Sequence, residues 1–365
     1  MSLLNGMCYD GFPAPYDPST ANRTSIFFGS DAAYDAMAPL WGGSYTSSTG
    51  SACGNGGASC RNDLRTMHDM GVQVIRLYDW EPRNRHLKFL DECHGWGLGV
   101  LVPVSNYFLQ QVGGFPGRET LIPQLLRSFA NTEGTDYHPA VAGVIIGNEL
   151  AGYGADECVV FTQGWVAHEA RLFSHARKVR LGHPVQFDPF GAALPGFGFW
   201  DTLLPRLQQD ADFKSRLFLA PQTYNNATYL FETVGGGNGG WVDMAWQKYR
   251  TPIWFTEIGQ SRVVADAADV VKNQLLGVRQ YASRHPDRLI GACFFQFADK
   301  VWLKPGESEA EFGAFSHTDR IQCTIRYTAK DFTHWEASSD DTLKVDVLAP
   351  SSLFAAVRSV YTAGG

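Results

Sequence analysis

Val141-Ala142-Gly143-Val144-Ile145-Ile146-Gly147-Asn148-Glu149 and Pro252-Ile253-Trp254-Phe255-Thr256-Glu257 decide how this chain is read. Each is a short apolar run that ends on a glutamate. Runs of this length, bounded by Gly or Pro and apolar on successive residues, fit strands of a parallel sheet buried on both faces. A carboxylate at the C-terminal end of such a strand lies where (β/α)₈ barrels build their active sites.

Working outward, apolar runs alternate with helical periods along the whole chain, the signature of repeated βα units. Eight strands are expected: Leu4–Asp10, Val72–Asp79, Leu98–Val104, Val141–Asn148, Pro184–Phe190, Leu217–Gln222, Pro252–Glu257 and Leu289–Phe297. Helical patterns fall over Arg61–Met70, Arg83–Trp96, Arg118–Asn131, Glu157–Leu181, Trp200–Ser215, Val264–Arg284 and Ser351–Tyr361. Eight strands matched to helices favour an α/β fold of the (β/α)₈ TIM-barrel class over an open doubly wound sheet. No G-x-G-x-x-G follows the first strand, which argues against a dinucleotide site. The Gly-rich segments Gly42–Gly57 and Gly235–Gly240 read as long loops, giving a barrel with elaborated loops at its C-terminal face. A single catalytic barrel over 1–365 is expected, with a long loop or small subdomain at about 302–348.

Composition narrows the partner. Charged residues are 18%, below the roughly 25% of average proteins, while aromatics reach 13%. Flat aromatic faces in excess of core needs suit stacking on sugar rings. A net charge of −7 and a pI near 5.8 argue against a nucleic-acid partner, because phosphate binding needs concentrated Lys and Arg. No apolar run approaches the roughly 20 residues of a spanning helix, so no membrane span is expected. Met1-Ser2-Leu3-Leu4-Asn5-Gly6 lacks the basic segment of a signal peptide. Seven cysteines cannot all pair, and two sequons, Asn22-Arg23-Thr24 and Asn226-Ala227-Thr228, accompany them. Secretion is the expected localisation, and a monomer the expected state.

Two carboxylates facing one another across a cleft are what glycosidic bond cleavage requires. One donates a proton to the leaving oxygen while the other attacks or supports the sugar's positive charge. Glu149 and Glu257 are the candidates, and Asp188 is the rival carboxylate, although Pro189 directly after it marks a turn. There is no H-E-x-x-H and no tight histidine cluster, so neither a metal nor another cofactor is expected. A serine nucleophile has no G-x-S-x-G elbow here.

The glutamate pair, with Asn148 immediately before the first, resembles the clan A glycoside hydrolases. Those are retaining (β/α)₈ enzymes with an acid/base after an Asn at strand four and a nucleophile at strand seven. The resemblance implies Glu149 as acid/base, Glu257 as nucleophile and Asn148 as a partner of the sugar 2-hydroxyl. Cys60-Arg61-Asn62-Asp63, Ile75-Arg76-Leu77-Tyr78 and the stretch from His86 to Cys93 resemble the family 72 β-1,3-glucanosyltransferases. Phe295-Gln296-Phe297-Ala298-Asp299-Lys300-Val301-Trp302 and Phe312-Gly313-Ala314-Phe315 are similar to the family 17 β-1,3-glucanases instead. The family 72 likeness also implies a bridge between Cys60 and Cys93.

Supporting residues follow strand ends. Tyr224 is placed to hydrogen-bond the nucleophile, and Arg76 to steady a carboxylate such as Glu257, or else to pair with Asp10 or Asp79. Tyr78, Trp80, Asn106, Tyr107 and Trp302 are candidates for sugar subsites. The substrate expected is a polysaccharide or oligosaccharide, most simply a β-1,3-glucan. A clan A enzyme for a β-1,4, β-1,6 or β-1,2 linkage is the alternative, and a non-catalytic carbohydrate-binding barrel the rival class.

Overall fold

The computed structural model describes residues 3–12, 31, 38–43, 61–84, 86–110, 117–174, 177–187, 197–300, 303–304, 306–307, 309–331 and 336–363. Eight strands close into one parallel barrel in chain order. They are β1 Leu4–Cys8, β2 Val74–Arg76, β3 Gly99–Val104, β4 Val141–Ile146, β5 Arg180–Gln186, β6 Leu217–Thr223, β7 Ile253–Ile258 and β8 Leu289–Phe294. β1 pairs with β8 in parallel (Leu4 opposite Gly291, Met7 opposite Phe294), which shuts the ring and leaves no free edge. The fold is a (β/α)₈ barrel, as the strand and helix count predicts.

Helices α1 Asp63–Asp69, α2 Leu87–Gly95, α3 Arg118–Ser128, α4 Ala155–Leu172, α5 Phe197–Leu207, α6 Trp241–Tyr249, α7 Ala267–Arg284 and α8 Ser352–Tyr361 pack outside. Local chemistry starts several of them. Asn62 accepts from the Arg65 N–H ahead of α1, and Ser351 from the Leu353 N–H ahead of α8. Inward-facing strand residues, among them Val74, Leu101, Ile145, Phe218 and Trp254, fill the barrel. The outward-facing set, such as Ile75, Val100, Val144 and Phe255, joins the helices in the main core. Each fully buried Leu, Ile, Val or Phe contributes on the order of 1.5–3 kcal/mol, so the barrel is a packed support for its rim. α8 is locked to the first strand by a hydrogen bond from Tyr361 Oη to the Gly6 carbonyl (2.7 Å).

The largest departures from expectation lie around β5. The helix expected to run to Leu181 ends at Leu172, and β5 begins at Arg180 rather than Pro184. Pro184 suggests a strand start because it lacks a donor. Here it lies inside β5, opposite Ala220 of β6, while the ladder to β4 has already ended at Gly182. The helix expected over Trp200–Ser215 is two, because Asp210 caps a new turn at Ala211–Arg216.

Beyond β8, β9 Phe315–Ser316 pairs antiparallel with β12 Ala349–Pro350. Between them β10 Ile321–Asp331 and β11 Glu336–Asp346 form a long antiparallel hairpin. His317 and Arg61 both contact Asp346, and Arg61 also grips Asp63 (2.7 Å), tying the hairpin base to α1. The cysteine pairing implied by the family 72 likeness is not formed. Cys93 is a free, buried thiol, because α2 turns it into the core beside Phe89 and Leu90. Cys323 on β10 is disulfide-bonded. Among the described residues no helix is long and apolar enough to cross a membrane.

Candidate active site

The C-terminal rim brings together residues from the ends of six strands. Glu257 reaches it through an irregularity in β7. Three steps along β6, from Leu219 to Gln222, match four along β7, from Ile253 to Glu257. Likewise three steps from Phe255 to Ile258 match two from Ala292 to Phe294 on β8. Both registers place one extra residue in β7, at or beside Thr256. Trp254 points into the barrel and Phe255 out. Strict alternation would then turn Glu257 out toward the helices. The extra residue reverses that and aims its carboxylate inward, a use of bulges that recurs beside active sites.

Glu257 is buried and receives four hydrogen bonds. Arg76 Nη1 (2.5 Å), Tyr78 Oη (2.7 Å) and Gln222 Nε2 (2.7 Å) all donate to Oε1, and Tyr224 Oη donates to Oε2 (2.8 Å). Burial by itself would raise the carboxyl's pKa. The Arg76 guanidinium, helped by the hydroxyls of Tyr78 and Tyr224 and the Gln222 amide, outweighs it and holds Glu257 below the usual carboxylate range. Arg76 is itself fully enclosed, its guanidinium 4.4 Å from the Tyr78 ring centre.

Glu149 is arranged oppositely. β4 ends at Ile146, and Gly147 turns the chain with φ +83°, where an added Cβ would come within 2.7 Å of Leu150. Glu149 follows in the left-handed region at φ 50°, which is uncommon for a residue with a side chain and concentrates at functional sites. It is exposed at the mouth of the barrel. The desolvation it meets there, then the negative charges of Glu257 and Glu309, push its carboxyl above the ordinary value, against Lys300 and Arg76.

One amide joins the two glutamates. Gln222 Oε1 accepts the Glu149 N–H (2.9 Å) while its Nε2 donates to Glu257 and to Asn148 Oδ1 (3.0 Å). The backbone N–H can only donate, which fixes the Gln222 amide orientation. Asn148 is fixed in turn, since its Oδ1 also accepts from Arg76 Nη2 (2.5 Å). Its Nδ2 is therefore the edge left for an incoming acceptor. Gln222 was not foreseen as a site residue. The available signal was a polar side chain ending an apolar run, the same one that marks the glutamates.

The other candidates separate. Asn106 is not aimed at a ligand, because its amide is engaged twice by the Asn148 backbone (2.7 and 2.8 Å), so it positions Asn148 instead. Trp80 is corrected outright. It is 1% exposed, one face lies 3.6 Å from the His86 ring, and its indole N–H donates to Ser128 Oγ. It has no free face for a sugar. Tyr107 is half-buried at the start of the helical turn Asn106–Gln110, with burial and nearby Tyr153 pushing its phenol up. Trp302 and Asp188 lie outside the described residues. No group of three or more His, Cys, Asp or Glu able to hold a metal occurs among the described residues.

Comparison with solved structures reaches the same (β/α)₈ fold. The chain is similar over 100% of its length to Saccharomyces cerevisiae Gas2p in complex with laminaripentaose (TM-score 0.57, 14% identity, 65% of that chain). The same holds for Gas2p in complex with a second compound (TM-score 0.57, 15% identity, 65% of that chain). A family 39 glycoside hydrolase from the gut symbiont Bacteroides cellulosilyticus WH2 matches 83% of this chain and 60% of its own (TM-score 0.53, 13% identity). The chain thus spans less than two thirds of the length of these structures, and the likeness is one of fold. No family model matches the chain, and no curated protein matches it by sequence.

Proposed function

We propose that the protein is a retaining glycoside hydrolase or transglycosylase acting on β-glucan, with β-1,3 linkages preferred. Glu257 is the nucleophile and Glu149 the acid/base. The observation that carries this is the opposite treatment of the two carboxyls around Gln222. One is buried, held by four donors and kept ionised; the other opens on the rim and is biased toward its protonated form. Glycosidic cleavage by a carboxyl pair needs that split, and the retaining form of it rests on the clan A resemblance.

In the first step a lone pair of Glu257 attacks the anomeric carbon as Glu149 passes its proton to the departing glycosidic oxygen. Oε2 is the attacking oxygen, because it faces one donor while Oε1 faces three. The Asn148 Nδ2 edge meets the sugar 2-hydroxyl, a contact that strengthens toward the transition state. In the second step Glu149, now ionised, takes a proton from water or from an acceptor sugar, which displaces Glu257 and regenerates both groups. Transfer and hydrolysis differ only in that acceptor.

The β-1,3 preference rests on the sequence likeness to families 17 and 72. Laminaripentaose, named in the Gas2p complex, is a β-1,3-linked glucose pentamer and agrees with it. Secretion belongs to this reading, and the disulfide at Cys323 suits an oxidising compartment.

A 2-deoxy-2-fluoro laminaribiosyl fluoride tests the mechanism, since the 2-fluorine slows both steps while the leaving group rescues the first. The expected result is a stable adduct mapped by mass spectrometry to the peptide holding Glu257. No adduct, with laminarin yielding neither shorter nor longer products while another glucan is cleaved, would remove the linkage claim. No reaction on any glucan would favour a binding-only barrel.

A further inference from the structure

Two residues beyond the end of β1, Asp10 holds its carboxyl within electrostatic reach of Glu257. Its Oδ1 is buried and has no hydrogen-bond partner. Buried carboxylate oxygens are nearly always satisfied, so an open one needs an explanation. Burial pushes the Asp10 carboxyl up to about 6; Lys300 and Arg76 are close enough to counter that rise, and Glu257 adds to it. Neither cation is spare. Arg76 is committed to Glu257, Tyr78, Asn148 and the Thr256 carbonyl, while Lys300 bonds Glu309 at 3.2 Å and covers the Phe295 ring. Asp10 is thus an acceptor held in place with nothing to accept from.

We infer that Asp10 reads hydroxyl groups of the sugar held against Glu257, and so sets specificity at that subsite. This deepens, and rests on, the glycosidase reading above. A neutral sugar offers only hydroxyl donors to such a group, and a carboxylate can take two neighbouring ones. The topology supports the division of labour. β1 and β4 stand three strands apart in the ring of eight, so a sugar lying across the mouth meets Asn148 on one edge and Asp10 on another. Asn148 takes the 2-hydroxyl and O3 carries the next glucose of a β-1,3 chain, which leaves the 4- and 6-hydroxyls for Asp10.

The test uses 2,4-dinitrophenyl β-laminaribiosides in which single hydroxyls of the sugar next to the aglycone are removed. Wild-type protein is expected to lose roughly 10–100-fold in kcat/KM on removal of one particular hydroxyl other than the 2-position. Asp10→Ala and the isosteric Asp10→Asn should lose a similar factor on the complete substrate. Both should then be indifferent to removal of that hydroxyl. If the variants lose the same factor on every analogue, or none, Asp10 does not touch the sugar and the inference is overturned. If wild-type protein turns over none of these glycosides or any glucan, the glycosidase reading itself falls and takes the inference with it. Asp10→Asn keeps the residue's volume, so at least one of the pair should fold.

Discussion

Gln222 donates to Glu257 Oε1 at 2.7 Å, and the oxygen of the same amide receives the Glu149 N–H at 2.9 Å. The two glutamates are 108 positions apart in the chain (257 − 149), yet one planar group sets the place of both. A side chain amide spans little more than two ångströms between its oxygen and nitrogen. Any tilt of Gln222 therefore moves the Glu149 backbone and the Glu257 carboxylate together. Its third bond, to Asn148 Oδ1, extends the coupling to the residue proposed to meet the 2-hydroxyl.

Gln222→Leu keeps the approximate volume and deletes these contacts. Hydrogen bonds to charged groups contribute about 1.5–3 kcal/mol, so kcat on laminarin oligosaccharides should fall roughly 10–100-fold. Gln222→Glu should be worse at low pH. A second carboxylate against Glu257 raises its pKa, and the acidic limb of the rate profile should move to higher pH. Initial rates measured across the pH range would refute the coupling if that limb stayed where it is in wild type.

Arg76 gives a second handle on the same profile. Glu257 acts as an anion whose pKa is depressed, so activity should be present above that pKa and lost as pH falls through it. Glu149 acts as an acid whose pKa is raised, so activity should be lost as pH rises through it. Removing the guanidinium with Arg76→Met leaves burial as the dominant influence on Glu257. The acidic limb should shift upward while the basic limb stays nearly fixed. Stability should drop by about 3–5 kcal/mol, the cost of breaking a buried ion pair from one side, measurable by urea unfolding. Equal movement of both limbs would show that Arg76 does not act mainly on Glu257.

How much of this was legible in the sequence depends on what each residue's neighbours demand. Glu149 and Glu257 could be read because an apolar run predicts a buried strand and the residue after it falls on the rim. The inward turn of Glu257 could not be read, since it depends on an extra residue in β7 that only the pairing with β6 and β8 reveals. Asp10 ended an expected strand as well, but entered only as a partner for Arg76, because an unpaired buried oxygen is a property of packing. Asn106 looked like a sugar contact for want of the knowledge that Asn148's backbone takes both its amide groups. β5 was displaced because Pro184 obeys the rule for strand starts in the sequence and breaks it in the fold, where β4 has already let go.

Trp80 makes the same point in a testable form. An aromatic residue after a strand end reads alike whether it faces a ligand or the core. Here His86, Phe129 and Ser128 enclose it. Trp80→Ala should therefore cost about 3–5 kcal/mol of stability, as for other buried Trp truncations, and leave KM for oligosaccharides unchanged. A clear rise in KM with unaltered unfolding would return Trp80 to the cleft.

The assignment of the two glutamates can be tested by restoring each one's chemistry separately. Glu149→Ala lacks the acid, but a 2,4-dinitrophenyl leaving group needs no proton, so the first step should survive on such a substrate. The second step then lacks its base, and the glycosyl–Glu257 ester should accumulate, giving a burst followed by slow turnover. Azide needs no base, so it should speed that turnover and yield the β-glycosyl azide, formed from the face opposite Glu257. The basic limb of the pH profile should disappear along with the carboxyl that causes it. Glu257→Ala removes the nucleophile, and azide can then only replace it, attacking from the Glu257 side to give the α-glycosyl azide. The anomer recovered from each variant, read by proton NMR, decides the matter. An α-azide from Glu149→Ala and a β-azide from Glu257→Ala would reverse the two roles while keeping the pair.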